Sequence, residues 1–554
     1  MIQLINRLQK SICGLLILVL PITLAFSSAT AQTPSQATSQ ATNQTPAGRL
    51  PNLGEEAEMS PAAERRLGDR IARELYRDPD YIDDPVLVEY LQAIWQSLLT
   101  AARLRGELTP ELEERFAFEL LLGKDRTVNA FALPGGYMGL HLGLVAVVSS
   151  RDELAAVLGH ELSHITQRHI ARLTAKQSAQ TPWLVGAMIL GALAASKNPQ
   201  AVGALISGGQ AVAAQNQLNF SRDMEREADR VGFAVMTQAG FEGQGAVSMF
   251  EKLQQANRLS DRGNYPYLRS HPLTTERIAD MQSRVGVGVG GGVSLGAGVG
   301  SSGPQTPAAQ ANPTLEHAMV AARARLISNQ AQDALRAWVQ LDSDPALGAA
   351  LPFVRAGNLY GAAMAAARQR DFALAQKIAA RLGPVVQNDA AAQRLQRLLA
   401  AEIALEAGQP AQVLALLADA AKPGTATTKA LGTERLRPEQ MLLVPAQIRL
   451  GQAAQAAETL RLWVALHPRD AMAWQWLATS YTELNQPLRA VRADAESRVA
   501  EQDYAGAQER FKAAQDLAKN ALGSQGRADH IEASIIDTRA RAVALLLREQ
   551  ALER

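Results

Sequence analysis

Residues 159–164 read Gly159-His160-Glu161-Leu162-Ser163-His164, and His169 follows shortly after. Side chains four apart lie on one face of an α-helix, so His160 and His164 can hold one metal ion. Glu161 is rotated about 100° from His160 and can still reach a water on that metal. Two imidazole ligands beside a carboxylate base make the H-E-x-x-H arrangement of a zincin. The surrounding helix is apolar, with Leu154, Val157, Leu158, Leu162 and Ile165. Ionisable side chains in such surroundings need a partner, and a metal supplies one. An ordinary polar helix is the alternative for so short a motif.

His169 does not complete the longer pattern H-E-x-x-H-x-x-G-x-x-H. Gln167 stands where that pattern has glycine, and the last histidine comes one residue early. On a continuous helix His169 faces nearly away from His160, on the polar face or behind the ligands. A catalytic zinc needs a third protein ligand and an open position. The third ligand is sought in Ser221-Arg222-Asp223-Met224-Glu225-Arg226-Glu227-Ala228-Asp229. Glu225 and Asp229 share a helix face. Glu225 can bind zinc, and Asp229 can accept the second N–H of a ligand histidine and fix its tautomer. Glu227 points elsewhere and is the weaker choice. A solvated charged face is the alternative for this stretch.

The chain has 554 residues, which favours two or three domains. Apolar residues make up 47% and charged residues 20%, ordinary values for a soluble globular protein. A formal net charge of +1 gives no global electrostatic case for nucleic acid or an anionic membrane. Arg7 and Lys10, the apolar run 12–24 and Ala29-Thr30-Ala31 read as a secretory signal peptide over 1–31. The run is short for a membrane span. The single cysteine, Cys13, lies inside it, too early for a lipidation site. A processed chain would then carry no thiol for catalysis or metal binding, which argues against a purely structural zinc site, often built with cysteine.

Ser60-Pro61 and Asp84-Pro85 are helix-start pairs. The second opens a helix to about Ala102 with the stripe Leu87, Leu91, Ile94 and Leu98. Residues 116–122 and 128–133 read as strands, the latter stopped by Pro134-Gly135-Gly136. Residues 137–148 hold a strand end and then a helix. Helices are expected over 151–174 and over 220–240, the latter closed by glycine. Residues 183–195 are apolar but too short to span a bilayer; they fit a buried helix, a lid over a cleft or a membrane contact.

Residues 286–303 are rich in Gly, Val and Ser, and mark a linker. Beyond about Pro313 the chain reads as helical, punctuated by Pro445 and Pro468. Trp474-x2-Leu477-Ala478-x2-Tyr481 follows a tetratricopeptide pattern, and Ala456 and Ala490 are 34 residues apart, matching that repeat. Tyr504-x2-Ala507-x3-Phe511-x2-Ala514 fits the second helix of another unit, out of phase with the first. A plain helical bundle is the alternative.

H-E-x-x-H, then S-R-x-x-E-x-x-A-D, then Ser270-His271-Pro272-x4-Arg277-Ile278 together resemble peptidase family M48, the zinc metallopeptidases that include the heat-shock and CAAX prenyl proteases. With the signal peptide and the repeats, the chain looks most like the family's periplasmic, beta-barrel assembly-enhancing (BepA-type) members. The fold class expected is α+β. A mainly helical zinc metallopeptidase domain with a small edge sheet (55–285) follows the signal peptide and a disordered leader (32–54). A Gly-rich linker (286–312) then leads to an all-α tetratricopeptide-like repeat domain (313–554).

The resemblance implies one Zn2+ per chain on His160, His164 and Glu225, with Glu161 as catalytic base and Asp229 behind a ligand histidine. It makes Asn129, Ala130 and Phe131 part of a substrate-binding edge strand. It implies a periplasmic location, unfolded or misassembled protein substrates, and outer-membrane assembly machinery as partner through the repeats. No nucleic-acid partner is expected; peripheral membrane association through 183–195 stays open. His271 is a fourth ligand, an oxyanion donor or a helix cap, with Tyr265 and Tyr267 as alternative oxyanion donors. The competing reading is a chaperone or assembly factor acting through the repeats, with a latent peptidase.

Overall fold

The computed structural model describes residues 59–176, 221–258, 265–288, 313–418, 437–521 and 527–552. The expected signal peptide and leader, the 183–195 segment and most of the glycine-rich linker lie outside them. The described residues belong to one compact unit, 56–554.

Both helix-start pairs act as read. Ser60 Oγ accepts the Ala63 N–H at the start of α1 (Pro61–Tyr76), and Asp84 Oδ1 accepts that of Leu87 at the start of α2 (Pro85–Leu104). Leu87, Leu91, Ile94 and Leu98 on α2 are fully buried. After α3 (Pro110–Arg115) come β1 (Glu119–Gly123), β2 (Ala130–Ala132) and β3 (Tyr137–His141). The sheet order is β1-β3-β2, with β1 parallel and β2 antiparallel to β3. The first strand starts later than its apolar run suggests. Phe118 sits at φ +47°, outside strand geometry, and its carbonyl accepts the Trp95 indole N–H at 2.9 Å. The Pro134-Gly135-Gly136 turn has φ +70° and +85° at its glycines. A Cβ on Gly136 would lie 2.8 Å from the Phe116 side chain, so glycine is required on both counts.

β3 is buried along its whole length and runs into α4 (Leu142–Val147). Ser150 then caps α5 (Arg151–Thr166), the helix of the opening motif. This helix is shorter than expected from sequence. It breaks at Gln167 and Arg168, where φ is +51°, and α6 (His169–Lys176) begins. Next come α7 (Arg222–Gln238), α8 (Gln244–Arg258), α9 (Tyr267–Ser270) and α10 (Thr275–Gly288). The expected glycine stop of α7 is Gly240, at φ +88°.

Helices from Leu315–Ser328 to Arg527–Leu552 form the rest, most packed on the next helix in the chain, with Leu315–Ser328 packed on Pro352–Arg368. Pro445 does not break a helix; it lies inside Arg437–Arg449. Trp474, Leu477 and Tyr481 are buried on one face of Ala471–Glu483, and Ala507, Phe511 and Ala514 are fully buried in Tyr504–Ala521. A continuous apolar core joins α2, α4 and α5 to helices beyond residue 313. Three arginines each join carboxylates on the two sides of the same boundary. Arg323 is shared by Asp84 and Glu402, Arg394 by Glu89 and Glu439, and Arg437 by Asp83 and Asp470. Among the described residues no helix is long and apolar enough to cross a membrane.

Candidate metal centre

α5 and α7 touch backbone to backbone at Gly159 and Gly232. A Cβ on Gly232 would lie 2.9 Å from the Gly159 carbonyl and the His160 nitrogen. Two missing side chains thus let the helices approach until residues flanking the crossing share one volume. His160 and His164 project from α5, Glu225 from α7, and His271 from the loop after α9. All four are buried, and one ligand atom of each lies within 4.8 Å of the others.

His160 Nε2 is 3.0 Å from His164 Nε2 and 3.3 Å from His271 Nδ1. The Glu225 carboxylate is 3.5 Å from both His160 Nε2 and His164 Nε2, and 3.0 Å from His271 Nδ1. Asp229, one turn beyond Glu225, takes the other side of His160 through Nδ1 at 3.0 Å. The α7 face read from sequence is therefore turned inward, with both acids buried.

Glu161 is 0% exposed. Its Oε2 accepts the Ala132 N–H at 2.9 Å, which ties it to β2. Its Oε1 has no hydrogen-bond partner among the described residues and lies 3.4 Å from His271 Nε2. Of the edge-strand residues, Asn129 accepts from the His141 N–H just before β2, Ala130 is buried, and Phe131 lies across Gly139 of β3. Tyr267 is buried and stacks on His271 with centroids 4.6 Å apart, and its own N–H donates to the Val128 carbonyl. Tyr265 is half-buried.

Sequence reasoning gave no role to Arg277. Its Nε and Nη2 donate to Asp229 at 2.6 and 2.8 Å, while Nη1 is 2.7 Å from Glu225 and donates to the Pro272 carbonyl. One guanidinium thus fixes both acids of α7 and the loop carrying His271. The only signal was an arginine shortly after Ser270-His271-Pro272.

Burial opposes charge at each of these groups, and the neighbours decide the outcome. Burial favours neutral His160, yet hydrogen bonds to Asp229 and Glu225 outweigh it and raise its pKa to about 10. Burial disfavours the Asp229 and Glu225 carboxylates. Arg277 and His160 reverse this for Asp229, and His271 and His160 for Glu225, so both pKa values fall. At Glu161 burial prevails over the positive charge of His271 and His160, and the pKa rises.

The donor set fits zinc: buried imidazole nitrogens and a carboxylate converge on one point, and Glu161 Oε1, without a hydrogen bond among the described residues, stands beside them. Comparison with known proteins agrees. Residues 88–285 match peptidase family M48. The beta-barrel assembly-enhancing protease of Escherichia coli (strain K12) is 33% identical over 240 residues, 43% of this chain and 47% of that protein. Its counterpart in Yersinia pestis is 33% identical over 238 residues, 42% and 47% of the two chains. The mitochondrial metalloendopeptidase OMA1 of Saccharomyces cerevisiae is 27% identical over 196 residues, 34% and 54% of the two chains. The chain thus spans about half the length of these relatives. The matched region contains the H-E-x-x-H helix, the crossing at Gly232 and all four clustered side chains, so the similarity to peptidase family M48 covers the whole candidate centre.

Proposed function

We propose that the protein is a zinc-dependent endopeptidase of the periplasm that hydrolyses misfolded or stalled clients in outer-membrane protein quality control. The observation that carries the chemistry is the convergence of His160, His164 and Glu225 with Glu161 alongside. These three side chains would hold the zinc, and Asp229 would orient His160. Zinc bound there supplies Lewis-acid polarisation of a water and of the scissile carbonyl. Glu161 takes the proton from that water through Oε1 and passes it to the leaving amine.

The substrate lies along β2. Leu133 N–H and Asn129 C=O bond to β3, so the groups of Ala130 and Ala132 face the other way. An extended peptide can pair with that edge at Ala130 whatever its sequence, while the Ala132 N–H is given to Glu161 Oε2 and sets the distance between strand and base. His271 is a fourth ligand at rest, because it sits within the cluster itself. The periplasmic setting rests on the N-terminal segment 1–31, and the link to β-barrel assembly is carried over from the names of the relatives. The helices beyond residue 313 act as tetratricopeptide-like repeats that select clients, a reading supported by the buried Trp474, Leu477 and Tyr481 face.

The test follows cleavage of an unfolded protein by the wild type and by Glu161→Gln at equal bound zinc. The variant should keep its metal and lose about 10²–10⁴-fold in rate. Equal rates would remove Glu161 from the mechanism. Zinc-loaded wild type without activity would leave an assembly factor.

A further inference from the structure

His164 has a support of its own, distinct from the Asp229 that holds His160. Its Nδ1 lies 2.8 Å from Nδ1 of His169. His169 is fully buried, and its Nε2 is 3.1 Å from Glu227 Oε2. Arg172 Nη1 holds that same oxygen at 2.8 Å.

A continuous helix could not make this contact, because five positions turn about 140° around its axis. The chain makes it by breaking after α5. Arg168 takes a left-handed conformation, φ +51°, which side-chain-bearing residues seldom adopt. The Arg168 side chain is anchored from outside: its Nε donates to the buried Glu64 of α1 at 3.0 Å, and another guanidinium N–H donates to the Met59 carbonyl. An unfavourable backbone conformation held by surrounding contacts marks a position where geometry matters.

We propose that His169 is a positioning residue for His164, with Glu227 behind it; this rests on the zinc reading of the site. With Nε2 of His164 turned to the metal cluster, its Nδ1 carries the hydrogen and donates to His169 Nδ1. His169 then carries its hydrogen on Nε2 and donates to the Glu227 carboxylate. The chain of bonds ends on a negative charge. It selects the tautomer of His164, fixes the ring plane and strengthens Nε2 as a ligand. The two histidines of the motif are thus supported separately, His160 from α7 directly and His164 through α6.

The test measures zinc affinity of the purified chain by chelator competition and records the visible spectrum of its cobalt(II) form. His169→Phe keeps the ring volume and removes both nitrogens. Glu227→Gln keeps the shape of a partly exposed side chain and removes its charge, so folding is preserved even if the first variant fails. His169→Phe should bind zinc about 10–100-fold more weakly and shift the cobalt spectrum; Glu227→Gln should move both in the same direction by less. Wild-type affinity and spectrum in either folded variant would overturn the inference. A wild type that binds no zinc would instead overturn the reading of the site itself.

Discussion

The Gly159–Gly232 crossing allows a prediction whose size can be worked from distances. In Gly232→Ala the new Cβ would sit 2.9 Å from the Gly159 carbonyl carbon and oxygen and from the His160 nitrogen. All three are backbone atoms and cannot swing aside. Carbon contacts are comfortable near 3.5–4.0 Å, so the helices must part by roughly 0.6–1 Å. Alanine gains about 1 kcal/mol over glycine in helix propensity, but overpacking costs about 1–3 kcal/mol. The balance is a loss of up to about 2 kcal/mol. The effect on the metal centre is larger, because ligand distances tolerate about 0.2 Å and Glu225 rides on the displaced helix. Cleavage should fall about 10²-fold, the usual consequence of an ångström of misplacement. Gly159→Ala is the internal control. Its Cβ meets one atom at 3.1 Å and the next at 3.7 Å, so a shift of a few tenths suffices and the helix gain offsets it. Thermal unfolding with and without zinc, and cleavage of an unfolded substrate, measure both variants. The reasoning fails if Gly232→Ala keeps wild-type zinc stabilisation and rate, or if Gly159→Ala is the worse of the two.

Two further predictions test the centre and its surroundings. A fourth protein ligand fills the position that catalysis needs open, so His271→Ala should cleave a short unstructured peptide faster than wild type; a loss of tenfold or more would make His271 the oxyanion donor instead. His317, on helix Leu315–Ser328, accepts the Tyr90 O–H through Nδ1 at 2.7 Å and donates its Nε2–H to the Val148 carbonyl at 3.0 Å. Burial lowers its pKa, against the favourable Val148 bond and Glu153, with Lys252 and Arg151 adding to the effect. The unfolded histidine therefore takes up a proton near pH 6.5 while the folded one does not. Stability is full above about 6.5 and is lost as pH falls, by at most about 1.4 kcal/mol per pH unit, until the folded group protonates. Unfolding free energies of the wild type and His317→Gln between pH 7.5 and pH 5 should differ in slope by that contribution, and parallel curves would exclude it.

What could be read from the sequence was local. Ser60-Pro61 and Asp84-Pro85 cap helices because a cap involves only residues three or four positions apart. The spacing of His160 and His164, and of Glu225 and Asp229, fixes a shared face wherever the helix lies. What could not be read depends on tertiary contact. Phe118 and Arg168 leave regular geometry with positive φ and are not glycines, so nothing in their chemistry announces the turn. One shortens β1, and the other ends α5 early and brings His169 onto His164. The Arg277 clamp needs α7 and α10 brought together, and an arginine one turn into a helix is otherwise ordinary. Gly159 and Gly232 were available as a signal, since glycine inside a good helix asks for a packing reason.

The three shared arginines bear on how the halves act together. A buried ion pair contributes little net stability, because desolvation offsets the attraction. The continuous apolar core supplies that. Misalignment is different: breaking the buried Arg323–Asp84 pair costs about 3–5 kcal/mol by leaving a charge uncompensated, and the partly buried Arg394–Glu89 and Arg437–Asp83 pairs add less. Arg323, Arg394 and Arg437 each need one carboxylate from the start of α2 and one from the C-terminal helices. A slide of either half along the other would break several such sets together. The arginines therefore define a single seating. Because α2 packs directly on α5 and α7, that seating places the C-terminal helices one layer from the helices carrying His160, His164 and Glu225. A client held by the C-terminal helices would thus be held at a fixed distance from the metal centre, which a freely hinged pair of domains could not offer.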